Sequence, residues 1–187
     1  MSDRFAIETR ALNGVLLLAR RRLGDARGHF SRVFCAQDFA PFGWTQPVAQ
    51  INESRTRLRG TVRGLHYQAP PYAEKKLVSC LEGAILDVAV DIRQGSPTFL
   101  QSFAAELSAE NGRSMLVPEG FAHGFQALTD EVQVVYATSA PYAQEAEHAL
   151  HSLDPALAIA WPLEVVNLSP RDAAHSFLSP SFTGLTL

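Results

Sequence analysis

Short apolar or alternating stretches, each ended by Gly, Pro, Asn or Asp, recur along most of the chain: residues 15–18, 30–34, 48–54, 76–80, 84–92, 99–107, 114–117, 123–128 and 132–138. Strand-length runs at this regular spacing predict an all-β sandwich or barrel. Helical periodicity is weak. One short helix is expected over 171–177, with Ser169 as N-cap, Pro170 at the first helical position and Asp172 in the first turn. No repeat or linker divides the sequence, so residues 1–187 are expected to form one domain, irregular after Pro155.

Composition narrows the function. Hydrophobic residues make up 47% and the net charge is −3, with an isoelectric point near 6.1, which argues against a nucleic-acid binder. The run Arg20, Arg21, Arg22 is read as a solvated strand end. Cys35 and Cys80 form no CxxC pair and read as reduced residues of a core. The N-terminal residues lack the apolar run of a signal peptide, and runs 14–19 and 85–90 are too short to span a bilayer. The expectation is a cytoplasmic protein with neither membrane nor nucleic-acid partner.

Two segments carry more than a strand signal. The first is Gly60 followed by five residues and His66. The second is Gly112, five residues, Pro118, Gly120 and His123. The pair resembles the two motifs of the cupin superfamily, which implies a double-stranded β-helix or jelly roll with a few short peripheral helices. Metal-binding cupins place a second histidine where Gln68 stands and a further ligand where Ala127 stands. A metal of this kind needs three or four converging N or O ligands. His66 and His123 occupy ligand positions, with Glu74 a doubtful third, so no metal is expected. A barrel that has lost its metal needs another use for its mouth.

That use is suggested by Arg63-Gly64-Leu65-His66-Tyr67-Gln68. The other blocks are Gly24-Asp25-x-Arg27-Gly28, Gln50-x-Asn52-x-Ser54, Lys76-Leu77-Val78, Asp87 to Arg93, Gly95-Ser96-Pro97-Thr98-Phe99, Leu107-Ser108-x-Glu110-Asn111, Pro118-x-Gly120-Phe121-Ala122-His123-Gly124-Phe125 and Trp161-Pro162. Together and in this order they resemble the dTDP-4-dehydrorhamnose 3,5-epimerase family, from about Leu16 to Asp172. The resemblance implies inversion of C3, C5 or both in a nucleotide-linked 4-keto-6-deoxyhexose, without a cofactor. A homodimer is also implied, with an N-terminal segment crossing to the partner. Exposed edges such as 15–18 would need covering; a monomer with a charged edge at Arg20–Arg22 is the alternative.

Epimerisation beside a ketone needs a base for a weakly acidic C–H, charge stabilisation for the enolate, and an acid on the opposite face. Imidazole suits the first task because it titrates near neutrality. By resemblance His66 is the base, Asp172 the carboxylate that orients it, Lys76 the cation facing the keto oxygen and Tyr136 the acid. Taken singly, each has a plainer reading: a core histidine, a first-turn helix charge, a solvated strand lysine and a packed tyrosine. Lys75 and Lys76 must face opposite ways on a strand, so Lys75 is expected in solvent. Asp87 interrupts an apolar strand, shares a face with Asp91, and is expected to pair with Lys76. The resemblance assigns the nucleotide sugar to Arg27, Gln50, Asn52, Arg63, His123, Tyr142 and Glu147, and Asp87 is expected to join them in binding substrate. No glycine motif for a nicotinamide or ATP is present.

The chain also departs from the family pattern. Ala137 follows Tyr136 where a lysine is usual, His29 and Arg32 replace an aromatic and an acid, and His151-Ser152-Leu153 lacks a tryptophan. These changes bear on the nucleotide and on which carbons invert. The rival expectations are a monofunctional 3- or 5-epimerase, a metal-dependent cupin enzyme and a sugar-binding cupin without activity.

Overall fold

The computed structural model describes residues 3–187; of the unit expected over 1–187, Met1 and Ser2 lie outside the described residues. Six strands form one antiparallel sheet in the order β1 (Phe5–Ala11), β2 (Val15–Arg20), β10 (Arg113–Val117), β7 (Lys76–Glu82), β12 (Val132–Thr138), β5 (Gln50–Thr56). Five form a second, in the order β13 (Glu147–Ala149), β6 (Val62–Gln68), β11 (Phe121–Ala127), β8 (Ala84–Asp91), β9 (Ser102–Ser108). A hairpin of β3 (Arg22–Asp25) and β4 (Gly28–Ser31) stands apart from both. This is the jelly roll that the motifs imply.

Alternation along the strands explains the layers. Val15 and Leu17 of β2, Val78 and Cys80 of β7, Ile85 and Ala89 of β8, and Phe121 and Phe125 of β11 meet in one core drawn from both sheets. Leu16 and Leu18 turn the other way and pack against Phe39 and Trp44, around the short helix α1 (Ala36–Phe39). Val88 and Val90 turn outward on the second sheet and are covered by Leu157, Trp161, Leu178 and Phe182 of the C-terminal segment. β2 and β8 are thus buried on both faces, which is why 15–18 and 84–90 read as nearly continuous apolar runs.

Several expectations change. Residues 15–18 are not an edge, since β2 lies between β1 and β10. Arg20 is buried rather than solvated: its Nε donates to the carbonyl of Gly112 at 3.1 Å. Arg22 donates to the carbonyl of Glu110 at 2.7 Å. Lys75 is not in solvent either; its ammonium lies 3.2 Å from Glu119. The expected helix shortens to α2 (Pro170–Ala173), with the Ser169 hydroxyl accepting from the Asp172 amide as foreseen. Cys80 is buried and Cys35 partly so, both free.

Asp91, at the end of β8, holds the connection to β9. Its fully buried carboxylate accepts from the Arg93 amide at 3.0 Å, Arg93 Nη2 at 2.6 Å, Ser96 Oγ at 2.6 Å and Thr98 Oγ1 at 2.5 Å. Burial pushes this carboxyl up, but the Arg93, Ser96 and Thr98 hydrogen bonds prevail and bring it down to about 2. A depressed carboxyl stabilises the fold above its unfolded pKa, near 4, and loses that contribution as pH falls through the folded value. Asp91 is therefore expected to contribute about 2 kcal/mol at neutral pH, lost between about pH 4 and pH 2. Urea titrations across that range should show this loss in the native protein. Asp91→Asn, less stable at neutral pH, should show a correspondingly smaller acid-induced loss.

Candidate active site

The two sheets present complementary walls. In the first, Tyr136 of β12 pairs with Asn52 of β5, and Thr138 pairs with both Gln50 and Lys76. Cross-strand partners share a face, so Gln50, Asn52, Lys76 and Tyr136 all look inward. In the second, His66 of β6 pairs with His123 of β11, and Glu147 pairs with Gln68. A cavity of about 510 Å³ between the walls is lined by Arg63, His66, Lys76, His123, Tyr136 and Asp172, among others. An adjoining one of about 350 Å³ reaches Gln50, Asn52, Glu74, Tyr142 and Glu147. Both are bordered by His66, Lys76 and Tyr136. The volumes suit a small-molecule ligand.

Arg63 and His66 are three residues apart, and a regular strand would turn them to opposite faces. A register shift solves this: His66 pairs with His123, but Arg63 pairs with Phe125. The extra residue on β6 is a bulge, which re-aims side chains. Glycine makes it possible. Gly64 has φ +113, and a Cβ there would lie 2.6 Å from the Gly124 Cα. The Arg-Gly-Leu-His spacing is therefore a backbone requirement of the site.

His66 Nε2 lies 2.7 Å from Asp172 Oδ1. Burial raises the Asp172 carboxyl, but the His66 hydrogen bond and charge, aided by Ser169 and the Gly64 amide, outweigh it and leave it below the usual range. An ionised carboxylate there holds the ring proton on Nε2. Nδ1 then carries the lone pair, and it has no hydrogen-bond partner among the described residues.

Tyr136 stands on the other wall with no side-chain hydrogen bond among the described residues. Burial pushes its phenol up, and the nearby Glu74 and Glu147 charges add to this, against an opposing effect from Arg63. The hydroxyl thus keeps its proton at neutral pH. Lys76 Nζ is 3.1 Å from Glu74 Oε1 and 3.5 Å from the His66 carbonyl.

The expected Lys76–Asp87 pair does not form. The two residues belong to different sheets; Glu74 is two residues from Lys76, and Asp87 lies on the same face as His123, whose Nε2 is 2.8 Å away. Asp87 is fully buried behind His123 and lines neither cavity. Arg27 does not reach the cavities either. It sits at the tip of the β3–β4 hairpin with its side chain 90% exposed, paired to Asp25 at 2.6 Å. Tyr142 and Glu147 come together, the phenol donating to Oε2 at 2.6 Å, and Gln50 Oε1 accepts from the Tyr142 amide at 2.8 Å.

Arg171 is a site residue that the sequence reading passed over. It lines the larger cavity, and its Nη2 lies 2.6 Å from Glu147 Oε2, tying α2 to β13. Its place beside Asp172 in Ser169-Pro-Arg-Asp was the available signal. Gln68, in a metal-ligand position, is a brace: its Oε1 accepts from the Ala143 amide at 2.6 Å and its Nε2 donates to the carbonyls of Tyr72 at 3.0 Å and Pro141 at 3.1 Å. It fixes the loop that presents Tyr142. Ala127 is core. Among the described residues no three His, Cys, Asp or Glu side chains converge as a metal site, and no helix is long and apolar enough to cross a membrane.

The family model described as dTDP-4-dehydrorhamnose 3,5-epimerase matches residues 9–180. A dTDP-4-dehydrorhamnose 3,5-epimerase of Sinorhizobium fredii is 42% identical over 177 residues, 94% of this chain and 91% of that protein. A Legionella pneumophila dTDP-6-deoxy-D-glucose-3,5-epimerase, solved in complex with dTDP-4-keto-L-rhamnose, is 43% identical with a TM-score of 0.88, over 92% of each chain. A 3'-monoepimerase of Streptomyces bikiniensis, solved with dTDP-quinovose, is 35% identical with a TM-score of 0.82, over 88% of this chain and 83% of that one.

Proposed function

The chain belongs to the dTDP-4-dehydrorhamnose 3,5-epimerase family, and from that premise we propose that His66 and Tyr136 invert both carbons flanking the keto group of its substrate. The protein is an epimerase of a dTDP-linked 4-keto-6-deoxyhexose. The observation that carries the residue assignment is that His66 and Tyr136 face one cavity from opposite sheets.

The ketone at C4 acidifies the hydrogens on C3 and C5. His66 Nδ1 takes one of them, and the C–H electron pair moves through the new C=C bond onto the C4 oxygen. The Lys76 ammonium meets the charge that develops there. Tyr136 then delivers its proton to the same carbon from the other face as the carbonyl re-forms. Asp172 keeps the imidazolium oriented throughout. Since C3 and C5 both adjoin C4, one base and one acid serve each in turn, once solvent water has taken the proton from His66 and returned one to Tyr136.

Arg63, Gln50, Asn52, His123, Tyr142 and Glu147 border the cleft and would hold the nucleotide diphosphate and sugar, with Arg63 suited to phosphate oxygens. Asp87 would act indirectly, by orienting His123. Arg27 fits this scheme in a homodimer, where the exposed hairpin, with Phe30 60% exposed beside it, would reach the partner's cleft. Sedimentation at several concentrations should give a dimer mass; a constant monomer mass would remove Arg27 from the site. Two free cysteines are consistent with a reducing cytoplasm.

Proton NMR in D2O with dTDP-4-keto-6-deoxyglucose should show deuterium entering at C3 and at C5, with inversion at both. The likeness to a 3'-monoepimerase supports a second reading. Inversion at C3 alone would establish it.

A further inference from the structure

Glu74 is an acidic residue inside the cleft for which the reaction has, so far, no use. It lies just ahead of β7, with its side chain 10% exposed against 12% for Lys76, and its Oε1 is 3.1 Å from the Lys76 ammonium. It lines the smaller cavity together with Tyr136. A carboxylate this enclosed is costly unless it is paired. Lysine, on a flexible stem, is otherwise a poorly placed point charge. The only other hydrogen bond that holds the ammonium among the described residues, to the His66 carbonyl, is long at 3.5 Å.

We propose that Glu74 is a positioning residue of the epimerase: it fixes the Lys76 ammonium where the enolate oxygen will form and sets a negative charge beside Tyr136 that opposes early loss of the phenolic proton. The proposal rests on the roles given above to Lys76 and Tyr136. The charged surroundings of Tyr136 support it. Arg63 and His66 approach from β6, His123 from β11, Glu147 from β13, and Asp172 and Arg171 from α2. His66 is engaged by Asp172, His123 by Asp87, and Arg171 by Glu147. Glu74 is engaged by Lys76, the one side chain of this group that also needs to face the keto oxygen. After burial, Glu74 has the largest influence on the Tyr136 phenol, and it acts to keep the proton on.

Two variants separate the two effects. Glu74→Ala frees the ammonium, and kcat is expected to fall by about 10- to 100-fold with little change in KM, the scale of loss that follows misplacement of a catalytic group. In a Lys76→Met background, Glu74→Ala should cost far less, since only its effect on the Tyr136 proton remains to be lost. Glu74→Gln keeps an oxygen for Lys76 and removes the charge. Its Tyr136 phenolate band, identified by subtracting the spectrum of the matching Tyr136→Phe double variant, should appear at lower pH than in the native enzyme. Wild-type kcat in Glu74→Ala, an equal loss in the Lys76→Met background, or an unmoved phenolate band would each overturn the proposal. Full activity in Lys76→Met alone would overturn the role of Lys76 itself, and that result distinguishes failure of the underlying reading from failure of the Glu74 proposal.

Discussion

His66→Ala is expected to abolish both inversion and deuterium uptake at C3 and C5. The loss should reach the upper part of the 10²–10⁴-fold range typical of a general base. The imidazole combines an unpartnered ring nitrogen with a carboxylate on the other, and it faces Tyr136 across the cleft: Asp172 takes Nε2 at 2.7 Å. Removing it leaves Asp172 ionised beside Ser169 and the Gly64 amide but without its main partner, so some thermal stability should be lost as well. His66→Asn would control for that loss, since it retains a donor toward Asp172 and cannot act as a base. Deuterium uptake surviving near the native rate in both variants would move the base elsewhere. His123 would be the first candidate, because it is the cross-strand neighbour of His66 and its Nε2 is likewise held by a buried carboxylate, Asp87.

Much of this was legible in the sequence for identifiable reasons. Strand segments showed because turn residues punctuate them, and alternation along a strand let only one of Lys75 and Lys76 point inward, with the resemblance choosing Lys76. The pairing of His66 with Asp172, 106 residues apart, came from resemblance alone. Spacing cannot express it, since it depends on where a four-residue helix docks after an irregular segment.

What could not be read depends on sheet order and register. Asp87 was assigned to Lys76 because both are charged and both were thought to face inward. Nothing in the sequence says that β7 and β8, adjacent in the chain, belong to different sheets. The three-residue spacing of Arg63 and His66 looks wrong for a shared face until the bulge at Gly64 is seen. β1 was missed although Phe5–Ala11 alternates, and β13 is only three residues long. Arg20 looked solvated because a basic run is polar in composition, yet its guanidinium is consumed by a backbone carbonyl 92 residues away.

Tyr136→Phe is expected to separate two processes that His66→Ala stops together. The ring continues to fill its place on the first wall, so the cleft should keep its shape, and with no side-chain hydrogen bond lost among the described residues the stability should change little. Proton removal by His66 and charge stabilisation by Lys76 both survive, so the enolate still forms. Once its imidazolium has exchanged with D2O, His66 returns a deuteron on the face the proton left. Deuterium should therefore enter C3 and C5 at a substantial fraction of the native rate, while inversion falls by about 10²–10⁴-fold. One NMR time course in D2O reads both, exchange from the loss of the C3 and C5 signals and inversion from the product resonances. Inversion at the native rate would require another acid. Tyr142 would be next in line, but its hydroxyl is already committed to Glu147 at 2.6 Å, a bond that pushes its own phenol up and would have to break before the proton could be delivered. Equal loss of exchange and inversion would instead mean that the phenol also takes part in forming the enolate, for example by donating to the C4 oxygen alongside Lys76.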